Sequence, residues 1–349
     1  MIIEAKVIGS GITAEDYLKQ EVERGHPDYV LSRSDLVEIL RCPHRWRAGY
    51  KLDSSEARDR GTLWDCLLLD RSNFGKRYAV TPETYPAPAH HPKVKKHEIE
   101  LGDPLPWNAN AGWCEDWLSA HKNQEVVKHD KLLEAEAAVA RVMADPELAG
   151  IIEASTKQVM VVGTWSDKPT GLKVPLRALL DIVPLLDSPF AQWLLDYKTT
   201  NHGGLRLWTR SVAAYAYHVQ AWLHAALYVK ATGQNRCEFG HIVQESYEPF
   251  HVEKRRLSVE FVALGGVIAR NALGLYCQCM RTEQMLRESK APDGSVVVWP
   301  GYPGKVILNG WQLVEPEPWM QTEAMETMPE LVVPPEPAFE SDPNDVPIP

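Results

Sequence analysis

What this chain of 349 residues lacks narrows the field before any motif is weighed. No uninterrupted apolar run approaches the roughly eighteen residues that a membrane-spanning helix needs. The opening residues, MIIEAKVIGSGITAEDYL, lack a basic stretch followed by an apolar one, so no secretory leader is expected and the chain reads as soluble and intracellular. Gly-x-Ser-x-Gly, His-Glu-x-x-His and Walker-type loops are missing, which disfavours the common serine-hydrolase, zinc-protease and nucleotide-hydrolase designs. The six cysteines (Cys42, Cys66, Cys114, Cys237, Cys277, Cys279) are scattered, and most lie within apolar patterns, as reduced thiols do. An iron–sulfur cluster normally takes four thiolates at suitable spacing, and no cysteine follows Cys279, so no cluster is expected.

Positive charge is missing from one region in particular. Residues 315–349 hold nine acidic residues and nine prolines but no Lys or Arg. The formal charge of −10 therefore resides mostly in this tail, leaving about −1 for the rest. An overall acidity that is local to a tail does not exclude a nucleic-acid partner, since a basic patch on one face remains compatible with it. The tail shows no sustained periodicity and reads as disordered.

The remainder divides into an N-terminal extension (1–30) and one catalytic-sized domain (31–314), with a Pro-rich loop or lid at 81–96. Helical periodicity marks 34–50, with Ser34 as a plausible N-cap. It also marks 61–70, a long region ending near Pro146, 211–233 closed by Gly233, and 258–286, where Gly265 and Gly266 weaken the pattern. Runs rich in Val, Leu and Ile, bounded by turn residues, predict strands at 157–165, 172–186, 192–199 and 236–246. Helices, a three-strand meander, then helix, strand and helix make an α/β (α+β) fold: a central mixed sheet with one helix-led crossover.

Charges interrupt two of these strands. Asp196 and Lys198 stand two apart in WLLDYKTT, so their side chains leave one face of the strand. A turn centred on Ser188–Pro189 would place Asp181 of the preceding strand opposite Asp196. Two carboxylates that close raise each other's pKa unless a cation lies between them. Two uses fit: a structural ion pair, or an oxygen-rich site for Mg²⁺ or Mn²⁺ suited to metal-assisted hydrolysis of a phosphodiester. In the second, Lys198 orients the attacking water or offsets developing charge.

These residues resemble the PD-(D/E)XK nuclease superfamily, with its restriction-endonuclease-like core. Within it they are similar to RecE-like and, more distantly, lambda-type phage recombination exonucleases. LLD followed after 14 residues by DYKTT resembles the core motif. SRSDLVEILRCPHRW resembles the opening helix, RDRGTLWDCLLLD the Gly-Thr-x-x-His helix, AYHVQAWLHAALY the Tyr-x-x-Gln helix and WPGYPGKVILNGW the closing segment. The likeness runs from Leu31 to Trp311 in the family's order.

The resemblance implies roles position by position. Asp181 and Asp196, with Asp65 and the Tyr197 carbonyl, would ligate Mg²⁺ or Mn²⁺, two ions per site. Lys198 would serve the attacking water, and Tyr217 and Gln220 would face the site, although a polar edge on an amphipathic helix also describes them. Ser34, Arg41, Arg45, Arg177, Thr199 and Thr200 are candidate DNA contacts; Ser34 as a cap and the threonines as strand-end residues need no such role. Arg177 precedes Asp181 by four, so on a regular strand it would share that face and reach substrate or the carboxylate. Two positions depart from the pattern: Asp65 stands where many relatives have histidine, and Gln158, a poor ligand, where they often have glutamate. The implied activity is 5′-to-3′ hydrolysis of linear duplex DNA in phage-type recombination or repair. Implied too are a ring oligomer, a single-strand annealing protein as partner, no membrane, and the cytoplasm of a bacterial or phage-infected cell. Endonuclease or single-strand activity, or an inactive DNA-binding module of the same fold, are the alternatives.

Overall fold

The β-branched runs do form the main sheet. The computed structural model describes residues 1–50, 55–236, 238–288 and 301–302. Six strands, β1 (Ile2–Gly9), β2 (Ser155–Ser166), β3 (Lys173–Pro184), β4 (Trp193–Thr200), β5 (Glu238–Glu245) and β6 (Val252–Arg256), lie side by side in that order. β1 to β4 pair antiparallel, β5 runs parallel to β4, and β6 returns antiparallel on β5. Helices α1 (Arg33–Arg41), α2 (Pro43–Arg47), α3 (Glu56–Leu69), α4 (His129–Met143), α5 (Pro146–Glu153), α6 (Leu205–Ala214), α7 (Tyr217–Thr232) and α8 (Val259–Glu288) accompany it. A parallel strand pair requires a crossover, and α6 with α7 supplies it between β4 and β5.

Strand alternation sends side chains to two cores. Leu194, Phe239 and Val243 pack with Val219, Leu223 and Leu227 of α7 and with Leu273 of α8. Leu195, Tyr197 and Ile242 pack on the other face against Trp64 and Leu67 of α3, Val139 of α4 and Ile151 of α5. The result is a mixed sheet with helices on both faces. The chain divides into two units, Met1–Lys305 and Val306–Pro349. The second unit, which contains the acidic tail, and most of the closing segment lie outside the described residues.

Several elements differ from the sequence expectation, each for a local reason. Residues 2–9 are an edge strand of the main sheet, antiparallel to β2, so the N-terminal segment is built into the fold. The helix expected over 34–50 is two helices, because Pro43 cannot continue the first and Cys42 is extended. The cap is Ser32, not Ser34: Ser32 accepts from the Asp35 amide, and the Asp35 carboxylate accepts from the Ser32 amide. Asp35 is buried and also accepts from Trp46 Nε1 and Tyr29 Oη, which ties the start of α1 to its surroundings. Residues 84–86 and 104–106 pair as short strands, so the Pro-rich stretch carries secondary structure and a small core of Tyr85, Ala87, Leu105 and Cys114.

The helix expected over 211–233 breaks at Ala216, whose φ of 54° is left-handed. Gly233, with φ 71°, ends α7 as the pattern predicts. The Gly265–Gly266 pair does not interrupt α8; it is where α8 meets α7. A Cβ at Gly265 would lie 1.9 Å from the His218 carbonyl oxygen. Gly265→Ala is therefore expected to destabilise the fold by about 1–3 kcal/mol through overpacking, read as a lower urea midpoint at unchanged slope. By length and composition, Val259–Met285 is long and apolar enough to cross a bilayer. Here its Ala269, Ala272, Leu273 and Tyr276 are buried in the core.

Candidate active site

β3 and β4 bring the first three charged residues together. Ile182 stands opposite Leu195, the register that sets Asp181 opposite Asp196. An Asp181 oxygen accepts from the Tyr197 amide at 3.2 Å. Asp196 is 1% exposed. Its Oδ1 accepts from Gln220 Nε2 at 2.7 Å, and its Oδ2 forms an ion pair with Lys198. Lys198 Nζ also reaches the Tyr197 carbonyl at 3.3 Å and lies 5.5 Å from the Tyr217 ring centre. The opposite side of β4 is anchored independently: Tyr197 Oη donates to Gln244 Oε1, and Gln244 Nε2 donates to the Ala138 carbonyl.

The left-handed Ala216 starts α7 so that Tyr217 and Gln220 face this strand pair. Non-glycine residues hold that conformation at a cost, which the surrounding structure must sustain. Arg33, at the start of α1, donates to the Tyr215 carbonyl at 3.1 Å and to Gln220 Oε1 at 3.4 Å. The Gln220 oxygen is thereby occupied, and its NH2 is left to point at Asp196. Nothing in the sequence pattern singled out Arg33, because its partners are about 180 residues away.

Asp65 enters from α3. Gly61, one turn earlier, allows α3 to approach β4: a Cβ there would lie 2.9 Å from Thr199 Oγ1. Gln158 Nε2 donates to Asp65 Oδ2 at 3.3 Å. Gln158 has a φ of 52°, and the β2–β3 register skips the Gln158–Asp181 pair between Lys157–Ile182 and Val159–Leu180. A position that reads as a poor ligand is thus a buried amide that holds Asp65.

The electrostatics follow from burial and proximity. Desolvation, reinforced by the Asp196 charge, pushes the Asp181 carboxyl well above the usual carboxylate range. Desolvation acts on Asp196 in the same sense, but Lys198 and then His241 outweigh it and hold Asp196 below that range. Burial opposes the Lys198 ammonium, yet Asp196 and Asp181 more than compensate and raise its pKa. Asp65 is pushed up to about 6 by desolvation, against the pull of Lys198. Without a cation, Lys198 supplies the positive charge between these groups.

His241 was missed in the sequence. It stands opposite Asp196 on the parallel neighbour β5, so it shares that face, with Nε2 4.0 Å from Asp196 Oδ2. Its ring is boxed by Trp208, Tyr217 and Phe239, and desolvation pushes its pKa down to about 4. The only signal was a polar residue inside the apolar strand pattern of 236–246.

The six candidate DNA contacts are dispersed. Ser34 is exposed in the first turn of α1. Arg41 bonds Glu38 and the Ala214 carbonyl, and Arg45 bonds Glu38 and covers Tyr50. Thr199 and Thr200 end β4, half-buried, with Thr200 Oγ1 accepting from the His202 amide. Arg177 is a correction. It is 4% exposed, donates to the Lys19 carbonyl and lies over the Tyr17 ring, 4.7 Å from its centre. Its guanidinium holds the N-terminal segment and is not paired with Asp181.

Among the described residues, no group of three or more His, Cys, Asp and Glu side chains is arranged to hold a metal ion. A cation here would rest on two carboxylates, a carbonyl and water. That donor set fits a hard ion such as Mg²⁺, which keeps several waters and takes one or two carboxylates. Asp196 Oδ2 is buried and held by Lys198, so an ion bound there would displace the ammonium.

No family model matches the chain, and no curated protein sequence matches it. Among solved structures it is similar to a candidate exonuclease from Eubacterium rectale, at 12% identity over 83% of this chain and 97% of that one, with a TM-score of 0.47. It is also similar to Rai1 of Scheffersomyces stipitis, crystallised with (3′-NADP)⁺ and calcium, at 9% identity over 84% and 77%, with a TM-score of 0.24. At these scores neither neighbour bears on activity.

Proposed function

We propose that this protein is a Mg²⁺- or Mn²⁺-dependent exodeoxyribonuclease that hydrolyses linear duplex DNA, 5′ to 3′, in phage-type recombination or repair. One observation carries the reading: Asp181 and Asp196 meet on adjacent strands beside Lys198, with Gln220 fixing the second carboxylate. Asp181, Asp196 and the Tyr197 carbonyl would hold the ion, with Asp65 beside them; a second ion follows from the resemblance alone. When bound, the ion supplies charge stabilisation at the phosphoryl oxygen and a more acidic water. Gln220 and Arg33 keep Asp196 oriented. Lys198, released from Asp196, orients the attacking water and offsets charge as the phosphorus becomes five-coordinate. DNA is the partner on this reading; a ring oligomer, an annealing protein and a cytoplasmic site in a bacterial or phage-infected cell accompany it through the resemblance.

A second reading is a DNA-binding module of the same architecture without catalysis. The engagement of Lys198 by Asp196 and the lack of a three-ligand group among the described residues favour it. End-labelled linear duplex and a matched closed circle, each incubated with Mg²⁺, Mn²⁺ or EDTA, separate the readings. Metal-dependent shortening of the linear substrate alone is the expected result, and Lys198→Ala is expected to slow it by about 10²–10³-fold. Binding without cleavage would establish the second reading, and equal cutting of the circle an endonuclease.

A further inference from the structure

Two buried polar groups in the site face each other without meeting. His241 is 1% exposed and neither ring nitrogen has a hydrogen-bond partner. Asp196 Oδ2 is held by Lys198 in a close ion pair. The two are 4.0 Å apart. Buried donors and acceptors are nearly always paired, and an orphan asks for an explanation. The rings of Trp208, Tyr217 and Phe239 have centres 5.3, 5.6 and 5.4 Å from the imidazole, and neither of its nitrogens bonds the Trp208 N–H, itself buried without a partner, or the Tyr217 hydroxyl. The acceptor that the imidazole faces is the oxygen that Lys198 already holds.

We infer that His241 and Lys198 are alternative partners of Asp196 Oδ2, His241 being the positioning residue that takes the oxygen when Lys198 turns toward the scissile phosphate. The strand register makes the exchange short. His241 lies directly across the β4–β5 pair from Asp196, and a closing movement of about 1 Å makes a normal hydrogen bond. Gln220 keeps Oδ1 fixed throughout, so the carboxylate does not swing after the departing ammonium. With His241 in place, Lys198 is freed without leaving a buried carboxylate oxygen bare. Without it, Lys198 stays committed to Asp196 and the chemical step slows while DNA binding does not.

The part that concerns catalysis rests on the proposed nuclease function, whereas the exchange of partners does not. The two are therefore tested separately. With histidine ¹⁵N-labelled and the His241 signals assigned by their loss in His241→Gln, Lys198→Met is expected to move the His241 Nε2 proton downfield and slow its exchange with water. An unchanged signal overturns the inference, whatever the cleavage assays show; the expected shift in a protein that cleaves nothing upholds the exchange and removes only the nuclease reading. Should Lys198→Met not fold, kinetics of the His241 variants decide. His241→Phe is expected to lower kcat about tenfold, the worth of one neutral hydrogen bond, with KM unchanged. His241→Gln, whose amide reaches the Nε2 position, is expected to restore most of that loss and His241→Asn, which does not, to restore little. A wild-type kcat in His241→Phe, or equal rescue by both amides, overturns the positioning role.

Discussion

Replacing Asp196 with alanine is expected to abolish metal-dependent cleavage and, separately, to destabilise the cation-free protein by about 3–5 kcal/mol, the range for breaking a buried ion pair. Asp196 is nearly inaccessible and the Lys198 side chain is 19% exposed, so water screens the pair little. Removing the carboxylate takes away the ammonium's closest partner, leaving it the Tyr197 carbonyl, the Tyr217 ring and the more distant charge of Asp181, and strips the Gln220 amide of its acceptor. Removing both charges is a different experiment. An Asp196→Ala, Lys198→Met double variant is expected to regain most of the lost stability, because a buried ion pair can often be exchanged for apolar groups without loss. It should regain no activity. Urea denaturation in EDTA measures the first effect and the linear-duplex assay the second. If Asp196→Ala costs less than about 1 kcal/mol, the pair behaves like an exposed one and the closed network around Asp196 is not what holds the site.

The centre of this site was legible because its signals are local. Asp196 and Lys198 lie two apart on one strand, and a short turn fixes where Asp181 falls. The central strands were legible too, since apolar runs between turn residues leave few alternatives. What escaped depends on distant pairing or on backbone conformation. His241 stands opposite Asp196 through a parallel register separated by 45 positions, which no spacing reveals. Arg33 and Gln158 matter through side-chain contacts with Gln220 and Asp65, 187 and 93 residues away. The left-handed residues Gln158 and Ala216 sit in segments whose composition reads as plain strand and plain helix. β1 was missed because an edge strand with exposed positions lacks the apolar run that marked the others. Arg177 was misassigned by counting along a regular strand, when its partners lie in the N-terminal segment.

Asp65 and Asp181 contribute to the pH response of the metal-free protein with a sign opposite to that of most carboxylates. Asp65 rises from 3.8 to about 6 on folding, and Asp181 rises well above its usual value, in both cases chiefly through burial. Groups whose folded pKa is raised contribute stability below the unfolded value and lose it as pH climbs through the folded one. Between pH 4 and 7 in EDTA, Asp65 alone should therefore withdraw up to about 3 kcal/mol at 1.36 kcal/mol per pKa unit; His241 and His224, which burial lowers to about 4 and about 3, gain stability over the same window and oppose it. Asp196 works the other way, but its lowered pKa confines its effect to more acid solution. Asp65→Asn keeps the shape of the side chain and removes the titration, so its stability relative to wild type should rise with pH between 4 and 7, and its melting temperature should exceed that of wild type at pH 8. Asp181→Asn should do the same and abolish cleavage, since an amide cannot replace the carboxylate toward a hard cation. A bound cation reverses the cost, because it favours the ionised carboxylates and must displace their protons. Saturating Mg²⁺ should accordingly raise the wild-type melting temperature more at pH 8 than at pH 5.5, and neither Asp181→Asn nor Asp196→Ala should show that difference. A Mg²⁺ shift of equal size at both pH values would place the ion away from these carboxylates and remove the chemical basis of the nuclease reading.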